Sequence, residues 1–188
     1  MLPSILRKEF RSDSSGQSFE QVQRGQSEMN LWKMGKAYLR QWFHGIEIVE
    51  IVPGLFQSSS IRWPWDKSKV KALGINVVID LQGRFDTSMP WLKAYLYWPI
   101  KDEPYLPNLQ VLDDVATWGM RMWQMRAWDA NWKVLVHCTA GYNRSGLVNA
   151  TILHKHGISG LEALRIIRQA RPGALSNQTF KDYVITLK

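Results

Sequence analysis

Apolar and polar positions along the chain follow two rhythms, one close to the helical period and one of short unbroken apolar runs. Over residues 29–43, Leu31, Trp32, Met34, Tyr38, Leu39, Trp42 and Phe43 fall near helical spacing among Lys33, Lys36 and Arg40, which predicts a basic amphipathic helix. After Gly45 the rhythm changes. Ile46, Ile48, Val49, Ile51 and Val52 predict a strand stopped by Pro53-Gly54, and Leu55 to Ser58 resumes it. A short helix fits residues 64–73, with Gly74 as its stop. Three apolar runs predict buried strands: INVVIDL at 75–81, YLYWPI at 95–100 and WKVLV at 132–136. Helical spacing returns over 108–130, where Leu109, Leu112, Val115, Trp118, Met122 and Met125 share one side. It recurs over 143–156, closed by Gly157, and over 159–170, where Ser159 as N-cap and Glu162 form a capping-box pattern. A last helix is predicted over 176–187.

Strands alternating with helices predict an α/β fold: a single domain with a central, mostly parallel sheet flanked by helices. No internal repeat or linker interrupts residues 46–188, which read as one catalytic domain. Residues 1–45 read as an N-terminal extension. Its start clusters Ser12, Ser14, Ser15, Gly16, Gln17 and Ser18 and holds few large apolar side chains, so it is expected to be poorly ordered until the amphipathic helix begins.

Composition narrows the class. The 188 residues are 45% hydrophobic and 21% charged, an ordinary balance for a soluble globular protein. No apolar run approaches the roughly eighteen residues of a transmembrane segment, and the N-terminus lacks the pattern of a secretory leader. A cytoplasmic location is therefore expected. A single cysteine excludes an internal disulfide framework and a cysteine metal cluster. His44, His154 and His156 show no zinc-ligand spacing, so no metal and no cofactor are expected. The net charge of +8 attracts anions in general: phosphorylated protein, nucleic acid or anionic lipid. Ten tryptophans are first of all core residues.

The segment that carries chemistry is Val136-His137-Cys138-Thr139-Ala140-Gly141-Tyr142-Asn143-Arg144-Ser145-Gly146, with an apolar strand running in and a helix running out. Sites of open α/β sheets lie at the carboxyl ends of strands. A short loop there can turn successive backbone N–H groups inward as a nest for an anion, and the following helix adds its positive end. Both favour the thiolate of a cysteine placed at that point. Cys138 is thus the candidate nucleophile. The backbone N–H groups of Thr139, Ala140, Gly141, Tyr142, Asn143 and Arg144 are candidate phosphate donors, and Gly141 supplies the unusual backbone angles. The planar fork of Arg144 can hold two phosphate oxygens at once. Ser145 offers a hydroxyl to the sulfur. His137 and Asn143 suit loop support better than reaction.

HCTAGYNRSG resembles the phosphate-binding loop of the cysteine-dependent protein tyrosine phosphatase superfamily, and the compact domain resembles its dual-specificity branch. The likeness runs over residues 46–188. VPGLFQSS is similar to the family's first-strand segment and LGINVVIDL to the strand that follows. RQARPGALSNQTFKDYV is similar to its closing segment, with Arg171-Pro172, Asn177 and Phe180 at familiar positions. The resemblance implies a two-step reaction through a phosphocysteine without metal. It also implies loop support from Asn177. Its general acid is an Asp on a mobile loop upstream of the cysteine. Here WPIKDEP places Asp102 just after a predicted strand, ahead of the competitors Glu103, Asp113, Asp114 and Asp129. Asp80, within INVVIDL, suits structure or loop positioning.

Two substrate readings follow. One is a protein phosphatase acting on phosphotyrosine, with phosphoserine and phosphothreonine as further candidates. The other is an RNA 5′-triphosphatase, since one branch carries loops of the form HCTHGxNRTG. That form is shared here at all but Ala140, where it has His, and Ser145, where it has Thr. A non-catalytic phosphate-binding module is disfavoured because Cys138 and Arg144 are both retained, and phosphoinositide hydrolysis because the loop holds no lysine. With one cysteine, Cys138 has no internal thiol to trap its sulfenic acid. Peroxide in the absence of small thiols is therefore expected to inactivate the enzyme irreversibly. Full recovery on later addition of reductant would contradict this.

Overall fold

The computed structural model describes residues 45–84 and 89–188. The expected extension up to residue 44, with its helix over 29–43 and His44, lies outside the described residues. The described order is β1 (Ile48–Val52), β2 (Leu55–Ser58), α1 (Pro64–Ala72), β3 (Val77–Asp80), β4 (Ala94–Tyr97), α2 (Leu109–Gln124), β5 (Val134–His137), α3 (Arg144–Lys155), α4 (Gly160–Ala170) and α5 (Gln178–Thr186). The sheet runs β1-β2-β5-β3-β4. The β1–β2 hairpin is antiparallel; β2–β5, β5–β3 and β3–β4 are parallel. β5 is the middle strand. Val134, Leu135 and Val136 are fully buried, as a strand covered on both faces requires.

Alternate side chains of these strands enter two cores. Leu55, Val77, Ile79, Val134 and Val136 pack with α2, α3, α4 and α5. Phe56, Val78 and Leu135 pack on the other face with Val70 of α1, Ile46, Ile61 and Ile75. Buried Asp66 ties this smaller layer together. Its carboxylate accepts from the backbone N–H of Ile46 at 2.8 Å, Arg62 at 3.0 Å and Trp63 at 3.1 Å. Among the described residues, no helix is long and apolar enough to cross a membrane.

Two expected elements stop well before their expected ends. The strand expected over 95–100 ends at Tyr97. Trp98 and Ile100 still donate to the Asp80 and Leu81 carbonyls, so two residues of this segment advance against one of the neighbouring chain and the regular parallel register is lost. The helix expected over 108–130 ends at Gln124 and tightens into a 3-10 turn at Met125–Ala127. Its core stripe keeps Leu112 and Val115 of the expected side, with Trp118 and Met122 partly buried against the core, but loses the two ends of that side. Leu112, Val115, Ala116, Gly119 and Trp123 are buried, whereas Leu109 and Met125 are exposed. At the start of α4, Ser159 Oγ accepts from the Glu162 N–H at 3.4 Å, while the Glu162 carboxylate is committed to Arg165. That pairing with Arg165 holds the Glu162 carboxyl below its ordinary range.

Leu109 and Leu112 share one helix and one chemistry, but Leu109 is 45% exposed and Leu112 0%. Leu112→Ala is expected to cost about 2–5 kcal/mol in urea unfolding, and Leu109→Ala no more than about 0.5 kcal/mol. Equal losses would contradict this assignment of the helix face.

Candidate active site

The sequence-predicted segment follows the middle strand. β5 ends at His137, flanked in register by Ser58 of β2 and Asp80 of β3, so three strand ends converge beside Cys138. Asp80 is buried. Its carboxylate accepts from the Tyr95 hydroxyl at 2.5 Å and from the Gln82 N–H at 3.0 Å, and lies 3.5 Å from His137 Nε2. This sets the turn after β3 against the last residue of β5.

From Cys138 the chain curls into a loop whose carbonyls are held from outside. Thr139 O accepts from Ser60 N at 3.3 Å and Ser60 Oγ at 3.1 Å. Gly141 O accepts from Gln57 Nε2 at 2.9 Å, and Gln57 in turn accepts from Asn149 of α3 at 3.1 Å. Tyr142 O accepts from Leu175 N at 3.2 Å. Because a trans peptide sets N–H opposite C=O, carbonyls turned outward leave the N–H groups turned inward. Among the described residues, no protein acceptor takes the N–H of Thr139, Ala140, Tyr142 or Asn143. Such a run of unclaimed donors is an anion nest. Gly141 makes the curl possible. Its φ is +75°, and a Cβ there would lie 2.5 Å from Ser59 N. Tyr142 is further fixed by buried Arg171, whose guanidinium sits 4.5 Å over its ring.

Cys138 Sγ lies inside this curl. It accepts from the Gly141 N–H at 3.2 Å and is 3.4 Å from Ser145 Oγ. Ser145 is buried in the first turn of α3, so the positive end of that helix adjoins the sulfur. Arg144 Nη1 donates to the carbonyls of Leu81 at 3.3 Å and Ile100 at 3.1 Å, which anchors the guanidinium to the chain after β3 and β4. Its Nε is buried and has no acceptor among the described residues. A buried donor left unpaired is costly, by about 1–3 kcal/mol, and an arriving oxyanion relieves that cost.

Asp102 is exposed, in the segment after β4. Its two oxygens accept from Asn177 Nδ2 and Asn143 Nδ2, both at 3.0 Å. Asn177 Nδ2 also donates to Glu103 O at 2.9 Å, and its Oδ1 caps α5 at the Phe180 N–H. The arrangement thus brings Asp102 to the phosphate-loop candidates through Asn143. Glu103 lies beside it, and its carboxylate raises the Tyr105 hydroxyl above its usual range, mainly by a hydrogen bond, with desolvation and charge adding. The other acidic competitors sit elsewhere. Asp113 pairs with Lys155, Asp114 accepts from Gln110 and Asp129 pairs with Lys93.

Sequence reasoning missed the layer that holds the loop: Gln57, Ser60 and Asn149. The available signal was a polar side chain inside an apolar run, as in LFQS and GLVNATIL, since a buried polar group needs a partner. Gly141→Ala is expected to lower phosphatase activity about a hundredfold, the scale of loss from displacing a reacting group by about 1 Å. Wild-type rates with aryl phosphates in that variant would contradict the packing described.

A family model described as "Dual specificity phosphatase, catalytic domain" matches residues 56–188. Among curated proteins, the chain is 31% identical over 145 residues to the dual specificity protein phosphatase Mpk3 of Drosophila melanogaster. The match covers 74% of this chain but 34% of that protein. Among solved structures, human DUSP28 superposes with a TM-score of 0.63 at 23% identity, over 74% of this chain and 91% of that one. A mouse putative dual specificity phosphatase complexed with zinc tungstate superposes with a TM-score of 0.59 at 20% identity, over 74% and 86%. Family model, curated relative and fold agree with the loop geometry: this chain belongs to the dual specificity phosphatase catalytic-domain family.

Proposed function

We propose that the domain hydrolyses phosphate monoesters on proteins, phosphotyrosine first and phosphoserine and phosphothreonine with it, through a phosphocysteine at Cys138. In the first step the Cys138 thiolate attacks phosphorus, the P–O ester bond breaks, and Asp102 gives its proton to the departing oxygen. In the second step water attacks phosphorus, Asp102 as carboxylate takes a proton from that water, and the P–S bond breaks. The Ser145 hydroxyl, 3.4 Å from the sulfur, steadies the thiolate as it leaves. The N–H groups from Thr139 to Arg144 and the Arg144 guanidinium hold the phosphoryl oxygens and meet the charge that develops on them.

The observation that carries this reading is the curl of inward N–H groups, together with the uncommitted Nε of Arg144, around a sulfur that already receives an N–H. Asp102, tied beside the loop, favours a monoester with a poor leaving group. A pyrophosphate leaving group needs far less help from an acid, so the RNA 5′-triphosphatase reading draws no support from that tie. A reducing compartment such as the cytoplasm suits a nucleophile that works only as a free thiol.

The test is a set of initial rates, without metal, on a phosphotyrosyl peptide and on a γ-labelled 5′-triphosphate RNA. Peptide turnover is expected to vanish in Cys138→Ser and to fall about a hundredfold or more in Asp102→Asn, the usual share of a positioned acid. RNA turnover that requires Cys138 yet survives Asp102→Asn would replace the protein-phosphatase reading. Activity that survives Cys138→Ser would remove the mechanism.

A further inference from the structure

Asn143 occupies an unusual place. It is the N-cap residue of α3, where an asparagine normally folds back to accept from the first turn, yet it makes no side-chain cap bond. Its side chain is used elsewhere. Oδ1 accepts from the Asn177 N–H at 3.0 Å and the Ser176 hydroxyl at 3.1 Å, and Nδ2 donates to Asp102 Oδ2 at 3.0 Å. The orientation of the amide follows from chemistry. The Asn177 backbone N–H can only donate, so Oδ1 must face it and Nδ2 must face the carboxylate. The same argument holds for Asn177, whose Oδ1 receives the Phe180 N–H at 3.2 Å, leaving Nδ2 for Asp102 Oδ1. Each oxygen of Asp102 therefore meets one amide donor that cannot reverse its role.

Asn143 is also joined by the backbone to Arg144, whose Nη1 binds the Ile100 carbonyl two residues before Asp102. The exposed Asp102 segment is thus tied to the loop twice, once by Arg144 at the backbone and once by Asn143 at the carboxylate. Asn143 is one of the residues that likened this loop to the 5′-triphosphatase form. Its side chain is spent within the protein, on the candidate acid.

Resting on the reading of Asp102 as general acid, we propose that Asn143 is a positioning residue for that acid: its side-chain amide fixes the Asp102 carboxylate against the phosphate loop. Removing the amide leaves the Asp102 carboxylate held by Asn177 at the start of α5 but no longer tied to the phosphate loop. The loss then falls on esters whose leaving oxygen needs a proton, and spares those whose leaving group departs unaided.

The experiment compares kcat/KM, which reports formation of the phosphocysteine, for phenyl phosphate and dinitrophenyl phosphate. The variants are Asn143→Ala, Asn143→Asp, Asp102→Asn and the double variant Asn143→Ala with Asp102→Asn. Asn143→Ala is expected to lose about tenfold on phenyl phosphate and less than about twofold on dinitrophenyl phosphate, part of the acid's whole contribution. The double variant is expected to be no slower than Asp102→Asn alone, because two residues that act as a unit are not additive. Asn143→Asp keeps the acceptor for Ser176 and Asn177 but sets a carboxylate against Asp102. It decides the matter if the alanine variant melts early, and the same selective loss is expected. A loss equal on both esters in the folded variants, no loss on either, or a loss that multiplies with Asp102→Asn would overturn the proposal while leaving the acid in place. An Asp102→Asn variant that itself shows no dependence on leaving group would instead remove the acid, and this inference with it.

Discussion

Everything at this site depends on which way the peptide planes of one short loop face. Three of its carbonyls, at Thr139, Gly141 and Tyr142, are held from outside by Ser60, Gln57 and the Leu175 N–H. Planarity of the peptide then does the rest: the N–H groups between them face the opposite side, around the Cys138 sulfur. The donors are held by the protein's own contacts, and donors so fixed are the ones that stabilise developing charge most.

The fold supplies those outside holders because of where β5 lies. It is the middle strand, between β2 and β3, so the chain leaving β5 passes directly beside the chain leaving each neighbour. The exit of β2 brings Gln57, Ser58, Ser59 and Ser60 against one side of the loop. The close approach at Ser58–Ser59 leaves no room for a side chain on Gly141. The exit of β3 brings the Leu81 carbonyl to Arg144, and the segment after β4 brings that of Ile100. The two-sided core beneath gives these exits a base: among the described residues, α2 to α5 cover one face and α1 the other. Packing and site are thus linked through strand order, with the chemistry set at the ends of buried strands.

Much of this was legible in the chain. INVVIDL and WKVLV announce buried strands by being apolar throughout, and the Cys-to-Arg spacing announces the loop. What was not legible depended on contacts distant in sequence. Leu109 and Met125 have the spacing of the apolar stripe but lie exposed at the two ends of α2, because the core stripe is set by Leu112, Val115, Ala116, Gly119 and Trp123. Residues 98–100 continue an apolar run and still bond the chain leaving β3, but out of the parallel register, which the run does not encode. Gln57 and Asn149 are widely separated in sequence and bond each other at 3.1 Å under the loop, a pairing that no local pattern encodes. The part of Asn143 was hidden for the same reason. Its residue type and position read as loop support and a backbone phosphate donor, while its side chain in fact reaches Asp102 and the chain before α5.

The covalent intermediate is the central claim, and it can be seen directly. Ser145→Ala, which lacks the hydroxyl beside the sulfur, would be mixed with an aryl phosphate, quenched in acid during turnover, and digested for mass spectrometry. The account predicts that the peptide containing Cys138 carries one phosphoryl group, and that this group is absent when the same experiment is run with Cys138→Ser. Product release in Ser145→Ala with Cys138 never phosphorylated, or a phosphoryl group found on another residue, would contradict it.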